Sequence, residues 1–238
     1  SNDLGTSWTE VNDSISNNAL QNGVVDHLNN IYVSNGAGGV LMSNNSGYTW
    51  TFQGDANGGA GFNPKAMAVN GSDALYLVDG DDDVYVSSNN GINWTRQTTD
   101  YGGGSADGMT AGNTSLYILF NKQVYRSTND GKNWAIINNS FTTYGQDGLD
   151  IHTSHSDRLY IVDEDERVFT SSDGGFLWTE LSDFNGGAGN DAKGITSYLV
   201  ETNLTYQLRS CSMSMCNDSN FTGPDGTSSS FYQGSRSF

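Results

Sequence analysis

The stretch that decides the fold is Ser87-Ser-Asn89-Asn-Gly91-Ile-Asn-Trp94. Its pattern, Ser-x-(Asp/Asn)-x-Gly-x-x-Trp, recurs in copies that begin at Ser1, Ser43, Ser127 and Ser171, and we name this pattern the box. The copies contain all five tryptophans of the 238-residue chain, at intervals of 42, 44, 40 and 44 residues. A period of about 40–45 residues filled with short strands is typical of β-propeller blades. The sequence therefore predicts an all-β propeller.

Four strands are predicted in each repeat, from runs of β-branched and aromatic residues between turn signals. First strands follow Gly-rich loops at 23–26, 66–69, 108–111, 148–151 and 194–197. Second strands centre on Tyr32, Tyr76, Tyr117, Tyr160 and Tyr206. Third strands run into the boxes at 40–43, 84–87, 124–127 and 168–171, and fourth strands begin at the box tryptophans. This order indicates blades of four antiparallel strands.

The two ends of the chain are complementary in this scheme. Residues 230–235 resemble a third strand, while the chain opens on a box that no strand precedes. Pairing of the C-terminal strands with the N-terminal box strand removes two sheet edges and closes a ring of five blades. We expect one domain over 1–238, with an insertion at 210–229 inside the last blade. The alternative is a five-repeat fragment of a larger ring or of a longer protein.

The charge of the chain excludes several classes of partner. The formal net charge is −17, with ten Lys and Arg against 27 Asp and Glu. Such a surface repels a phosphate backbone and an anionic membrane, so nucleic-acid binding is not expected. No stretch approaches the roughly 18–20 apolar residues of a membrane span, so membrane insertion is not expected either. The acidic, lysine-poor composition suits secreted proteins and also proteins from salty surroundings. We expect an extracellular protein, secreted or at a cell surface.

Two sequence features fit an extracellular setting. Cys211 and Cys216 are the two cysteines, and they form a disulfide or remain as free thiols. Candidate N-glycosylation sites follow the pattern Asn-x-Ser/Thr. They are Asn12, Asn44, Asn70, Asn93, Asn113, Asn138, Asn203, Asn217 and Asn220.

The box resembles the Asp-box, or bacterial neuraminidase repeat. Propellers with this repeat include sialidases, some xyloglucan-cleaving glycosidases and non-catalytic surface or sorting-receptor domains. The resemblance implies that the boxes are structural, with the tryptophan buried between neighbouring sheets. A sialidase would carry an Arg-Ile-Pro motif before the repeats and three converging arginines. The motif does not occur in this chain, and no arginine lies on a first strand. We therefore expect a sialidase-like fold without the sialidase catalytic residues.

The face opposite the boxes is the predicted ligand face, because it carries the 2–3 turns and the 4–1 connections of every blade. Four of these connections combine aromatic and polar residues. The candidate ligand-binding residues are Phe62, Tyr101, Asp107, Tyr144, Asp147, Phe184 and Asp191. Aromatic rings beside carboxylates suit a carbohydrate. The alternative is that the aromatic residues fill the gaps between blades.

One 2–3 turn on the same face is strongly acidic. Asp79, Asp81 and Asp83 alternate along it, as in the first part of a calcium loop. The later ligands of such a loop are missing. The turn is either a calcium site, which would make calcium the one cofactor, or a solvated hairpin tip.

These observations favour a non-catalytic extracellular recognition or display module, adhesin-like or lectin-like, whose partner is a glycan or a surface protein. One alternative is a glycoside hydrolase that uses paired aspartates near the first strands, where Asp26, Asp107, Asp147 and Asp150 lie. Another is a structural subunit that self-assembles, its N-terminal box strand pairing with a neighbouring molecule.

Overall fold

A computed structural model describes residues 6–12, 15, 20–36, 38–56, 63–98, 100–138, 148–154, 156–165, 167–183, 194–196, 198–200 and 203–205. Strands β1 to β8 are Leu20–Val25, Ile31–Asn35, Gly39–Ser43, Thr51–Asp55, Pro64–Val69, Leu75–Asp79, Val84–Ser87 and Thr95–Thr98. Strands β9 to β16 are Gly108–Ala111, Leu116–Phe120, Gln123–Ser127, Ala135–Asn138, Gly148–Thr153, Leu159–Asp163, Arg167–Ser171 and Thr179–Asp183. Strands β17 and β18 are Tyr198–Val200 and Asn203–Thr205. Within these ranges no helix is long and apolar enough to cross a membrane.

The strands form four sheets of four and one two-stranded sheet, in two compact units. Residues 1–106 and 127–134 make the first unit, which holds the sheets β1–β2–β3–β4 and β5–β6–β7–β8. Residues 107–126 and 135–238 make the second, with the sheets β9–β10–β11–β12 and β13–β14–β15–β16 and the hairpin β17–β18. The predicted all-β class and the predicted strand order within a blade are confirmed.

The four sheets repeat one another in detail. Every third strand pairs with its fourth strand across a bulge at the same place, after Val40, Val84, Val124 and Val168. These four valines are fully or almost fully buried. Bulges increase the local twist of a sheet. The common sequence period therefore encodes a common sheet geometry as well as a common strand order.

The box is a closed hydrogen-bonded turn. In the second sheet, the Ser87 hydroxyl accepts the Gly91 N–H at 2.9 Å and donates to Asn89 Oδ1 at 3.0 Å. Asn89 Oδ1 accepts the Asn93 N–H at 2.9 Å, and Trp94 Nε1 donates to the Gly91 carbonyl at 2.9 Å. The Gly91 φ of 81° lies in the left-handed region, which favours glycine. In the boxes that begin at Ser43, Ser127 and Ser171, the serine hydroxyl likewise accepts the N–H of the box glycine.

We expect Ser87→Ala to lower the free energy of unfolding by about 1–2 kcal/mol, because the buried Gly91 N–H loses its acceptor. Urea denaturation would measure the loss. The exposed neighbour Ser88 provides the control, and Ser88→Ala should leave the unfolding midpoint unchanged. Equal effects of the two substitutions would contradict a structural role for the Ser87 hydroxyl.

Two box tryptophans pack where neighbouring sheets meet, as the resemblance implied. Trp94 packs against a cluster drawn from the first and second sheets, Trp178 against one from the third and fourth. The first cluster contains Tyr32, Val40, Ala56, Met67, Leu75, Leu77 and Tyr85. The expectation is wrong for Trp8, which is 63% exposed. The reason is positional, because no sheet precedes Trp8 in the described part of the chain.

The second-strand tyrosine Tyr76 holds two parts of the first unit together. Tyr76 is buried, and its hydroxyl donates to Asp130 Oδ1 at 3.3 Å and accepts from Asn70 Nδ2 at 3.2 Å. Asp130 is the fourth residue of the box that begins at Ser127. Burial raises the pKa of Tyr76 to about 12, so the phenol stays protonated and keeps donating. Tyr76 therefore joins the core of its sheet to the box that begins at Ser127.

The predicted first strand at 194–197 is wrong for residues 194–196, which adopt no strand. The physical reason is that the Ile195 N–H donates to the side chain of Asp150, at 3.0 Å, instead of to a neighbouring strand. Tyr206, the predicted centre of the fifth second strand, lies outside the described residues, as does the segment 230–235 that would close the ring.

Candidate functional site

Two of the seven candidate ligand residues, Tyr101 and Asp107, belong to the described part of the chain. Phe62, Tyr144, Asp147, Phe184 and Asp191 lie outside it, and so do Cys211 and Cys216. The proposed ring of aromatic residues therefore stays a prediction.

Tyr101 is packed inside the first unit. Its side chain is 3% exposed and meets Trp134 edge to face, with 6.1 Å between the ring centroids. Its N–H donates to the Asp82 carbonyl at 3.3 Å, and its hydroxyl donates to the Gly104 carbonyl. A buried ring offers no face on which a sugar could stack. This arrangement favours the gap-filling alternative for Tyr101.

Asp107 is exposed at the entry to β9. One carboxylate oxygen, Oδ2, accepts the Asn121 N–H at 2.6 Å, which ties the 4–1 connection to the 2–3 turn of its own sheet. The residue is therefore on the predicted face, where it also has a structural role.

Two aspartates of the acidic 2–3 turn, Asp79 and Asp83, have partners for their carboxylates. Asp79 Oδ1 accepts the N–H groups of Asp81 and Asp83, at 3.0 and 2.9 Å. Asp83 Oδ2 forms an ion pair with Arg96 at 2.9 Å. Burial raises the pKa of Asp79, although the two N–H donors oppose that shift. Among the described residues, no group of three or more His, Cys, Asp or Glu could hold a metal ion, so the calcium hypothesis gains no support.

The Asp26 carboxylate also accepts hydrogen bonds from nearby residues, in the turn between β1 and β2. Its Oδ1 accepts the N–H groups of Leu28 and Asn30 at 2.9 and 2.8 Å, and its Oδ2 accepts the Tyr32 hydroxyl at 3.1 Å. The carboxylate thus closes the 1–2 turn of the first sheet.

Asp150 lies on β13, the first strand of the fourth sheet. Asp150 follows a bulge in β13, and its Oδ1 accepts the Ile151 N–H at 2.8 Å. Burial raises the pKa of Asp150 to about 6, and its two backbone donors only partly offset this. His152 lies two residues further along β13, on the same face, where burial lowers its pKa. In the sequence, Asp150 is distinguished only by its nearness to a first strand.

The boxes display apolar side chains at one equivalent position, which sequence reasoning missed. The sixth residue of the box, here named the box tip, is Tyr48, Ile92, Lys132 and Phe176 in the four complete described boxes. The three apolar tips are 60, 53 and 51% exposed. The sequence indicates these tips by a large apolar residue directly after the box glycine. Lys132 shows that a polar residue also fits at this position.

The candidate glycosylation sites differ in their hydrogen bonds, their exposure and their place in the fold. The side-chain amides of Asn12, Asn70 and Asn113 donate to Tyr48, Tyr76 and Asp157 respectively. Asn44 and Asn93 are exposed in their boxes, at positions two and seven. Asn138 and Asn203 fall on strands β12 and β18, and Asn217 and Asn220 lie outside the described residues.

Comparison with known proteins addresses the fold. The model of the DUF6242 β-propeller domain matches residues 1–103. The chain is a β-propeller. The Asp-box assignment and the number of five blades stay predictions. A search of curated protein sequences gave no match for the propeller.

Solved structures resemble the propeller at low sequence identity. YCF48 from Cyanidioschyzon merolae is 14% identical with a TM-score of 0.58, and the alignment covers 97% of this chain and 75% of YCF48. A structure of YCF48 bound to D1 peptide is 16% identical with a TM-score of 0.57, covering 90% and 68%. A catalytically inactive variant of virginiamycin B lyase from Staphylococcus aureus, with quinupristin, is 13% identical with a TM-score of 0.61, covering 84% and 66%. At these identities the likeness concerns the fold alone.

Proposed function

We propose that this propeller is a non-catalytic extracellular recognition or display module, and that it binds a basic, partly apolar segment of a protein partner through the box tips Tyr48 and Ile92. The observation that carries the proposal is the exposure of these two large apolar side chains at equivalent positions of one unit. Contiguous exposed apolar patches mark interaction surfaces, and in this proposal the two tips together form such a patch.

Folding of the turn does not require apolar box tips. Lys132 occupies the same position in the box that begins at Ser127, and its N–H donates to Asn129 O at 3.3 Å. The Tyr48 and Ile92 N–H groups make the equivalent bond, each at 3.2 Å. The turn therefore accommodates a charged residue without a change in its hydrogen bonding. The exposed apolar surface of Tyr48 and Ile92 is therefore not required for this hydrogen bond, and in this proposal it serves binding.

The preference for a protein partner rests on charge and on a structural relative. A net charge of −17 attracts a basic segment and repels an acidic one. The YCF48 structure with D1 peptide supports peptide binding as a use of this fold. A glycan, which could stack on Tyr48, is the alternative ligand. The low-lysine composition supports the extracellular setting.

Selection of peptides tests the proposal. A library of basic amphipathic peptides would be selected against the wild-type chain, and the affinities of the selected peptides would be measured for Tyr48→Thr/Ile92→Thr. Threonine is the native residue at this position of the first box, as Thr6. Each buried side chain contributes about 1.5–3 kcal/mol, so we expect binding to weaken at least about tenfold. The unfolding midpoint should not change.

Lys132→Thr is the matched control, because it alters the same turn position without removing apolar surface. We expect it to retain peptide binding. Selected peptides that bind wild type and the double variant equally would contradict the proposal, as would a library that yields no binder. A glycan array that gives a signal lost in the double variant would instead assign the box tips to a sugar.

A further inference from the structure

We infer that Asn22-Gly23 is a site of spontaneous covalent modification, at which Asn22 loses ammonia and becomes aspartate or isoaspartate. The reaction needs only water, and it is independent of the proposed binding at the box tips. Asn-Gly pairs occur six times in the chain, beginning at Asn22, Asn35, Asn57, Asn70, Asn90 and Asn185. Since the residue types are the same in all of them, the surroundings in the fold decide which pair reacts. The pairs at Asn57 and Asn185 lie outside the described residues.

The reaction is a cyclisation of the backbone onto the side chain. The backbone nitrogen of Gly23 attacks Cγ of Asn22, so that a C–N bond forms and the Cγ–Nδ2 bond breaks. The amide leaves as ammonia, which takes up the proton of the Gly23 nitrogen by way of the solvent. Water then opens the five-membered succinimide at either carbonyl carbon, which gives aspartate or isoaspartate without any oxidation or reduction. Glycine favours the attack because it has no Cβ and its backbone is the least restricted.

Asn22 lies at a bulge of the edge strand β1. The register of β1 against β2 shifts between Leu20 and Gly23, so that residues 21 and 22 together face Ser34. A bulge leaves one residue without a regular partner and disrupts the ladder locally. The backbone around Asn22 is therefore less constrained than in a regular strand. Cyclisation requires such freedom, because Cγ has to turn towards the next backbone nitrogen.

The attacking nitrogen lies on the open side of β1. The Asp26 N–H donates to the Asn30 carbonyl at 3.0 Å, and hydrogen-bonded and non-hydrogen-bonded positions alternate along an antiparallel pair. Gly23, three residues before Asp26 in continuous register, is therefore at a non-hydrogen-bonded position, with its N–H directed away from β2. On that side β1 has no neighbour in its four-stranded sheet, and Gly23 is exposed. The ladder thus leaves the nucleophile accessible.

Two other Asn-Gly pairs are held through the asparagine side chain. Asn35 is 5% exposed, and its Oδ1 accepts the Gly39 N–H at 2.9 Å. Asn70 Oδ1 accepts the Ala74 N–H at 3.0 Å, and Asn70 Nδ2 donates to the Tyr76 hydroxyl at 3.2 Å. Cyclisation would break these hydrogen bonds, because it turns the side chain towards the following glycine. Local opening must therefore precede the reaction at both pairs.

The pair Asn90-Gly91 is held through the glycine. The Gly91 N–H donates to the Ser87 hydroxyl at 2.9 Å, and Gly91 is buried. The nitrogen that would attack is therefore already a hydrogen-bond donor within the box. Asn90 is exposed, so exposure of the asparagine by itself does not select the reactive pair. Within the described residues, neither kind of hydrogen bond is present at Asn22-Gly23.

Rates of ammonia loss in the folded and the denatured chain test the inference. The wild-type chain would be incubated in H₂¹⁸O at mildly alkaline pH, with and without guanidinium, and each pair followed by mass spectrometry with peptide fragmentation. We expect Asn22 in the folded chain to react within about threefold of its denatured rate. The other three described pairs should react at least about tenfold more slowly than in the denatured chain, because they need local opening. Slowing of Asn22 by as much as Asn90 would overturn the inference.

Gly23→Ala tests the mechanism. A Cβ at position 23 would lie 3.4 Å from the Tyr32 carbonyl oxygen and from Val33 Cγ1, an ordinary contact distance, so the variant should fold. The added methyl group crowds the attacking nitrogen, and we expect the reaction at Asn22 to slow at least about tenfold. The rate at Asn90 is the internal control and should not change. An unchanged rate at Asn22, or aspartate without isoaspartate in the wild type, would indicate direct hydrolysis of the side chain and overturn the inference.

Discussion

Replacement of Gly54 by valine should lower the free energy of unfolding by about 3 kcal/mol or more. A Cβ at position 54 would lie 2.5 Å from the carbonyl oxygen of Ile92 and 2.9 Å from that of Gly91. Both atoms belong to the backbone of a box that is closed by its own hydrogen bonds, so neither can move aside at low cost. The first sheet and the box that begins at Ser87 would have to separate to admit the side chain. Urea denaturation followed by tryptophan fluorescence would measure the loss.

Gly23 is the matched control, because it also lies within a strand of the first sheet. A Cβ there would be 3.4 Å from its nearest neighbours, an ordinary contact distance. We expect Gly23→Ala to change the free energy of unfolding by less than about 0.5 kcal/mol. A Gly54→Val variant as stable as Gly23→Ala would show that the box does not pack on β4.

Truncation of Trp94 should have a similarly large effect. The indole packs into the cluster between the first two sheets and donates its Nε1–H to the Gly91 carbonyl at 2.9 Å. Trp94→Ala removes both interactions and leaves a cavity, so we expect a loss of about 3 kcal/mol. Since Trp94 is only partly buried, the loss should fall at the low end of the range for aromatic truncations.

Trp8 supplies the control for this prediction, because it holds the same position of the same motif. It is mostly exposed, and Trp8→Ala should cost less than about 1 kcal/mol. The difference between the two unfolding midpoints is the quantity to compare. Equal losses for Trp8→Ala and Trp94→Ala would mean that the tryptophan stabilises the protein through the box turn. They would contradict a contribution from packing between the sheets.

Much of the fold was predictable because the box is stabilised by interactions among its own residues. Ser87, Asn89 and Gly91 form their turn through contacts within a few residues, so the pattern in the sequence is also the pattern of hydrogen bonds. The buried third strands and the tyrosine-centred second strands follow from residue type and spacing in the same way. The fifth repeat departs from this rule at Ile195. Its backbone N–H donates to the side chain of Asp150, 45 residues away, and not to a neighbouring strand.

The candidate site was harder to predict, because residue type does not reveal exposure. Tyr101 suggested a ligand site by its Gly-rich loop, but its ring lies against Trp134. Tyr48 looked like an ordinary box residue, and it is among the most exposed aromatic side chains of the described chain. Asp79 suggested calcium by its spacing, whereas its carboxylate accepts the N–H groups of its own turn. In each instance the distinction depends on what the side chain meets in space.

By itself the sequence determined the repeat, the strand order within a sheet and the geometry of the boxes, since these arise from interactions over a few residues or one hairpin. Only the tertiary structure decided which box tryptophan is buried, which glycine admits no side chain and which aspartate is enclosed. Those properties belong to packing between segments about 40 residues apart, such as Gly54 with Ile92 or Asp150 with Ile195. Identical motif positions can therefore differ in environment, as Trp8 and Trp94 do.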